Sequence, residues 1–129
     1  MKKVSSTEAI RRGFSILGSV SRAPMSSRDI FQRLYDEGFN VSIRTIERDL
    51  SRLPDIFPSL IEVDDRSKPF TYRQPINARK YSAMNPTEAI CLELAFSFLN
   101  PILPKKTLNP INPYLKEADA VLNEQHAKK

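Results

Sequence analysis

Apolar residues recur at intervals of three and four positions along the first half of the chain, the spacing that places them on one face of an α-helix. The first such stretch runs from about Thr7 to Ser21, and Ser5 with Glu8 forms a capping box at its start. Pro24 ends it, since proline lacks a backbone donor and disfavours helical geometry in the residue before it. The inward face of this first predicted helix consists of Ile10, Phe14, Leu17 and Val20.

Two more helices with the same spacing are predicted before the middle of the chain. The second has Ser26 as its cap and stops at Gly38, because glycine readily adopts the left-handed conformation that follows a helix. The third, residues 43–53, lies between a Ser42 cap and Pro54, which we expect to close it. The inward residues of these two helices are Ile30, Leu34, Ile43, Ile46, Leu50 and Leu53.

Two short segments rich in β-branched and aromatic residues, 60–63 and 70–73, flank a polar loop at 64–69. They predict a two-stranded hairpin with the loop at its tip. Three helices followed by a hairpin is the element order of a winged helix-turn-helix, in which the third helix enters the major groove of DNA and the hairpin forms the wing. We therefore expect a mainly α fold with a small β-hairpin, and a DNA-binding domain at residues 1–75.

Residues 76–129 follow a different pattern. An irregular linker leads to a helix at 86–99, with Asn85 as its cap and Glu88 three residues further on. This helix is apolar on almost every side, and a solvent-exposed helix could not sustain such a surface. A last amphipathic helix runs from Tyr114 to about Gln125. We expect a helical linker and dimerisation segment in this part of the chain.

The apolar helix must be covered by something. A second copy of the chain is the simplest cover, because a twofold interface buries the same patch from both copies. The alternative is a monomer in which the last helix folds back over the patch. The predicted contacts of a homodimer are Ile90, Leu94, Phe96, Phe98, Leu99, Leu115 and Leu122.

The distribution of charged residues also differs between the two parts of the chain. The net charge is +5, and residues 1–80 hold 15 Lys and Arg against 10 Asp and Glu, whereas residues 81–129 hold 5 of each. Arginine pairs bidentately with phosphate and base edges, so the basic half indicates a phosphate-bearing partner. A solvated basic surface explains the composition equally well, and the order of the elements decides in favour of DNA.

Several classes of function are disfavoured by what the chain lacks. No apolar run approaches the roughly 18 residues that span a bilayer, and the amino terminus has no signal-peptide pattern, so we expect a cytoplasmic protein. One cysteine, Cys91, and one histidine, His126, cannot form a metal cluster, and Cys91 is expected to be a small buried residue. There is no glycine-rich phosphate loop and no histidine placed to serve as a base. We expect no enzymatic activity, no cofactor and no metal.

One set of motifs resembles a known family. Residues 44–50, Arg-Thr-Ile-Glu-Arg-Asp-Leu, with Phe57-Pro58 and residues 69–73, are similar to the amino-terminal winged helix-turn-helix of WYL-domain transcriptional regulators. Residues 84–89 resemble the start of the helical linker that leads to the ligand-sensing domain of that family. The resemblance implies a sequence-specific transcription regulator, for example a repressor. The sequence stops at Lys129, before such a domain, so the resemblance does not extend to ligand regulation, and a DNA-binding fragment of a larger ligand-sensing regulator is an alternative interpretation.

The predicted recognition helix supplies the strongest candidate contacts to DNA. Arg44, Thr45 and Arg48 lie at the amino end of its outer side, where side chains reach base edges in this fold. A solvated charged face is the alternative, and a protein-interaction module on the same scaffold would use the face differently. A steep loss of binding with rising salt distinguishes DNA from a protein partner.

The remaining candidates are expected on the sugar-phosphate backbone. Ser27 and Arg28 begin the second helix and suit a phosphate, although helix capping explains the serine equally well. Arg66 and Lys68 in the hairpin loop suit the backbone or the minor groove, while neighbouring aspartates offset their charge. Ser42 and Arg52 complete the predicted set.

Two other residues are predicted to have packing roles. Asp49 lies beside the apolar stripe of the third helix, so we expect it to pair with an arginine, either Arg12 or Arg52. Tyr72 is expected to pack under the hairpin rather than to stack on a base.

Overall fold

The computed structural model describes residues 6–75, 84–101 and 112–127 of the chain. Within these ranges the protein is mainly helical with one small antiparallel sheet, which confirms the predicted fold class at that level. The predicted cap Ser5 lies outside the described residues, as do residues 76–83 of the linker. In chain order the elements are α1 (Ser6–Val20), β1 (Met25–Ser26), α2 (Ser27–Asp36), α3 (Ile43–Ile56), β2 (Glu62–Asp64), β3 (Thr71–Arg73), α4 (Pro86–Leu99) and α5 (Asn112–Ala127).

The ends of α2 follow the predicted signals. Ser26 caps the helix through its side chain. Gly38 follows the helix with a φ of 100°, a conformation that suits glycine. The Phe39 N–H then donates to the Leu34 carbonyl at 3.0 Å, and both side chains are buried. This is the Schellman arrangement, and it gives the connection to α3 a defined path.

Helix α3 begins at the predicted Ser42 cap but does not end where we expected. The prediction that Pro54 closes it is wrong, because Pro54 lies inside the helix and the last helical residue is Ile56. A proline this close to a helix end removes its own donor without ending the helix. The Phe57 N–H restores the pattern by donating to the Leu53 carbonyl at 2.8 Å.

The sheet has three strands rather than the predicted two, in the order β1-β3-β2. Tyr72 of β3 lies between Val63 of β2 and Met25 of β1, and both pairings are antiparallel. Strand β1 has only two residues, too few for an alternating pattern, so the sequence carried no signal for it. Its pairing attaches the hairpin to the start of α2.

The predicted first strand, residues 60–63, is displaced along the chain. Leu60 and Ile61 are fully buried, and their N–H groups donate to the Phe57 carbonyl in a turn, so they cannot join the sheet ladder. The strand begins at Glu62 instead. The predicted strand starts too early because a run of buried apolar residues in a turn has the same sequence pattern as a buried strand.

The buried residues form one continuous hydrophobic cluster. Helices α1, α2 and α3 contribute Leu17, Ile30 and Ile46, each less than 2 % exposed. Helix α4 packs against α1, and α5 packs along α4, so Ala89 and Leu92 of α4 are also fully buried. In the part of the chain that the structure describes, no helix is long and apolar enough to cross a membrane.

Candidate nucleic-acid interface

The outer side of α3 carries two exposed arginines about one helical turn apart. Arg44 and Arg48 are separated by four positions, and neither has an ion-pair partner among the described residues. The opposite side of α3 is held in the core by Ile46 and Leu50. Both guanidinium groups therefore extend into solvent from a fixed support.

Ser42 and Thr45, at the amino end of this helix, are engaged in capping. The Thr45 N–H donates to the Ser42 hydroxyl oxygen at 3.2 Å, and the two hydroxyl oxygens are 3.3 Å apart. Ser42 is exposed and Thr45 is half-buried. Their hydroxyls order the first turn from which Arg44 projects.

The other predicted helix contacts lie further along α3 and at the start of α2. Arg52 is exposed, continues the four-residue spacing of Arg44 and Arg48, and lies at the rim of a cavity of about 150 Å³ between α1 and α3. Arg28 is exposed in the first turn of α2, whereas Ser27 beside it is half-buried. Exposed arginines are thus present both on α3 and at the amino end of α2.

Asp49 takes the first of its two predicted partners. The Arg12 Nε donates to Asp49 Oδ2 at 2.8 Å, and Arg12 Nη2 donates to Oδ1 at 3.3 Å. Arg12 is 5 % exposed, and its Nη1 is buried without a hydrogen-bond partner. This ion pair joins α3 to α1, so Asp49 has a structural role beside the candidate interface.

The two arginines of the hairpin form ion pairs with acidic residues of the hairpin itself. Arg66 donates from Nε and Nη2 to the two carboxylate oxygens of Asp64, each at 2.8 Å, and its backbone N–H donates to the same group. These hydrogen bonds hold the pKa of Asp64 well below its ordinary value of 3.8. Arg73 bonds Glu62 at 2.7 Å and Asp64 at 3.3 Å. Lys68 is exposed and has no ion-pair partner among the described residues, so it is the freer of the two predicted loop contacts.

Tyr72 is half-buried and packs against the core, in agreement with its predicted packing role. Burial raises the pKa of Tyr72 above its ordinary value of 10.0, and the negative charge of Glu47 raises it further. Glu47 itself is exposed on α3.

The predicted dimer contacts on α4 divide into an outer and an inner set. Ile90, Leu94 and Phe98 are 48 %, 66 % and 53 % exposed and recur every four residues on the outer side. Leu99 is fully buried within the chain, so its assignment to an exposed patch is wrong. Because the helix is apolar all round, its pattern could not separate the two sides. Three further predicted contacts are partly buried against the chain's own core: Phe96, Leu115 and Leu122.

Cys91 is exposed, which corrects the expectation of a buried residue. It lies on the outer side of α4 beside Ile90 and Leu94. The all-round apolar pattern misled us here too.

Glu88 has a role that sequence reasoning missed. Its side chain completes the predicted capping box with Asn85, and it also accepts hydrogen bonds from the Ser59 N–H at 2.9 Å and the Ser59 hydroxyl at 2.8 Å. Glu88 is 1 % exposed. It therefore ties the start of α4 to the turn that follows α3. No local signal in the sequence joins two positions 29 residues apart.

Comparisons of the chain with family models, with curated proteins and with solved structures give no match. Nor does the described part of the chain contain a group of three or more His, Cys, Asp or Glu side chains that could hold a metal ion. The exposed Arg44 and Arg48, which have no ion-pair partner among the described residues, make the outer side of α3 the strongest candidate site.

Proposed function

We propose that this chain is a winged helix-turn-helix protein that binds double-stranded DNA and regulates transcription in the cytoplasm, as the resemblance to WYL-domain regulators suggests. In this proposal α3 enters the major groove and the hairpin, residues 62–73, is the wing. The observation that carries it is the pair of exposed, unpaired arginines, Arg44 and Arg48, on a helix whose other side is fixed in the core.

The order of the elements supports this assignment. Three helices precede the hairpin, and the sheet pairing through β1 holds the hairpin at the start of α2. Arginine is also the side chain best suited to bidentate recognition of guanine in the major groove. The wing is electrically neutral, with three acidic and three basic residues, so Lys68 is its main candidate for a phosphate contact.

The test compares Arg48→Ala with the parent on a duplex selected from a randomised library and on random duplex. Loss of one good base contact should cost about 1–3 kcal/mol on the selected duplex and relax specificity at one position. Arg33→Ala is the matched control, because Arg33 lies on α2 with Glu37 3.8 Å away. Equal affinity of Arg48→Ala and the parent on both duplexes would contradict the assignment.

Salt dependence decides between DNA and a protein partner. Contacts between arginine and phosphate release counterions, so the affinity of the parent for duplex DNA should fall steeply as the salt concentration rises. An absence of measurable duplex binding at low salt would favour a protein-interaction module.

We further propose that the DNA-binding form is a homodimer joined through α4. The exposed outer face of α4 carries no charge, since it consists of Thr87, Ile90, Cys91, Leu94, Ser97 and Phe98. A second copy would present the same exposed residues, and the half-buried Glu93, three positions after Ile90, would lie at the edge of the interface. Leu94 lies midway between Ile90 and Phe98, so two antiparallel copies of the helix would place Ile90 against Phe98 of the partner subunit.

The α5 helix does fold back on α4, as the monomer alternative requires, but it leaves this outer face exposed. Sedimentation equilibrium at micromolar concentration tests the dimer. The parent should sediment as a dimer and Leu94→Asp as a monomer, whereas Ala23→Asp, on an exposed loop, should remain dimeric. A monomer mass for the parent would rule the dimer out.

A further inference from the structure

The outer side of α3 is less basic than its arginines alone suggest. Glu47 and Asp55 are exposed on it together with Arg44, Arg48 and Arg52, which leaves an excess of one positive charge. Glu47 lies three residues after Arg44 and one before Arg48, in the part of the helix proposed to reach the bases. Among the residues that the structure describes, Glu47 has no ion-pair partner.

The position of Glu47 places it inside the proposed interface rather than at its edge. Successive helical residues are about 100° apart, so Glu47 lies about 60° around the helix from Arg44. Glu47 is exposed, and along the helix axis it lies between Arg44 and Arg48. A duplex that contacts both Arg44 and Arg48 would therefore lie close to Glu47.

A carboxylate in that position is unfavourable beside an anionic duplex unless it accepts a hydrogen bond from a base. The major groove offers two kinds of donor, the N4 amino group of cytosine and the N6 amino group of adenine. Adenine carries the N7 acceptor next to its amino group, and a carboxylate would be repelled there because it has no proton to donate. Guanine presents two acceptors, and thymine presents an acceptor and a methyl group. Cytosine is the base whose major-groove edge suits a carboxylate.

We infer, on the basis of the proposed function, that Glu47 is a specificity-determining residue that accepts a hydrogen bond from a cytosine amino group in the major groove. Arg44 and Arg48 flank it with donors suited to guanine. The helix thus combines groups that read opposite members of a G·C pair. Glu47 lowers affinity for every sequence that has no cytosine at its position.

The experiment selects randomised duplex DNA with the parent, Glu47→Gln, Glu47→Ala and Asp55→Asn. The parent should prefer cytosine at one position by about 5- to 150-fold, the equivalent of one good base contact. Glu47→Gln should shift that preference to adenine, because a side-chain amide can accept from N6 and donate to N7. Glu47→Ala should show no preference at that position and should bind the other sequences no more weakly than the parent does.

Asp55→Asn is the matched control. It removes the same charge from the same face but lies eight residues, about 12 Å, further along the helix. The cytosine preference should survive this change. Both side chains are exposed, so none of the variants should disturb folding, and circular dichroism melts check this.

Two results would overturn the inference, and they can be told apart. If Glu47→Gln and Asp55→Asn both bind all sequences more tightly with unchanged base preferences, Glu47 is only a repulsive charge, while the proposed DNA binding stands. If the parent fails to bind duplex DNA at low salt, the proposed function fails and the inference fails with it.

Discussion

Asp49 is the polar residue of α3 whose loss should be most costly. Its partner Arg12 is 5 % exposed and donates to both of its carboxylate oxygens. Asp49→Ala would leave a buried guanidinium group without an anion, and breaking such a pair from one side costs about 3–5 kcal/mol. A domain of this size is stable by only roughly 5–15 kcal/mol, so the urea midpoint of unfolding should fall strongly.

Removing Arg12 instead of Asp49 should lower the free energy of unfolding by a smaller amount. In Arg12→Met the remaining Asp49 side chain is 19 % exposed and can be reached by water, so we expect a loss of about 1–3 kcal/mol. The double variant Arg12→Met/Asp49→Ala removes both charges and also the unpartnered Nη1 of Arg12. It should be more stable than Asp49→Ala alone, because replacing a whole buried pair by apolar groups is often neutral.

Urea unfolding followed by circular dichroism measures these free energies. Asp55→Ala is the control on the same helix, since Asp55 is exposed and its loss should change stability by no more than about 0.5 kcal/mol. If Asp49→Ala changes the free energy of unfolding no more than Asp55→Ala does, the ion pair does not stabilise the packing of α3 on α1. If the two single changes simply add in the double variant, the side chains are not coupled, and the reasoning is refuted.

Two further predictions concern the core and the hairpin. Leu50 is 1 % exposed, so Leu50→Ala should lower the free energy of unfolding by about 2–5 kcal/mol, and the proposed DNA binding should be lost together with folding. A thermal melt that overlays the parent would show that the predicted helix register is wrong. Because Arg66 lowers the pKa of Asp64, this carboxylate contributes stability at neutral pH that is lost as the pH falls below about 4 and through its lowered folded-state pKa. In Asp64→Asn the urea midpoint of unfolding should therefore fall less as the pH is lowered. If the midpoints of the parent and of Asp64→Asn fall equally at acid pH, the ion pair does not contribute to stability.

The helices could be predicted because their signals are local. Ser26, Ser42 and Asn85 are caps in the sequence and in the structure, and Gly38 ends α2 as expected. The apolar stripe of α3 likewise gave the correct buried face, including Leu50. Capping and helical spacing depend on residues within about four positions, so the sequence contains the information.

What could not be predicted depends on pairings between distant residues. The pattern allowed Asp49 either of two arginines, and only tertiary packing selects Arg12. Strand β1 exists because Met25 and Ser26 meet β3, not because of their own propensity. Which basic side chains of the hairpin are free to bind a partner could not be predicted either. From the sequence, Arg66 and Lys68 are equivalent candidates, but in the structure Arg66 forms an ion pair with Asp64.

The buried bond between Glu88 and Ser59 relates the two proposed surfaces to each other. Both carboxylate oxygens of Glu88 are used within the chain, so the amino end of α4 is fixed to the turn at the end of α3. The inner side of α4 is fixed to α1 as well, through the packing that buries Ala89 and Leu92. In a homodimer joined through Leu94, the path between the two recognition helices would therefore contain packed helices and a buried hydrogen-bond network. A rigid path sets a single distance between half-sites, so the proposed dimer should require one operator spacing rather than tolerate several.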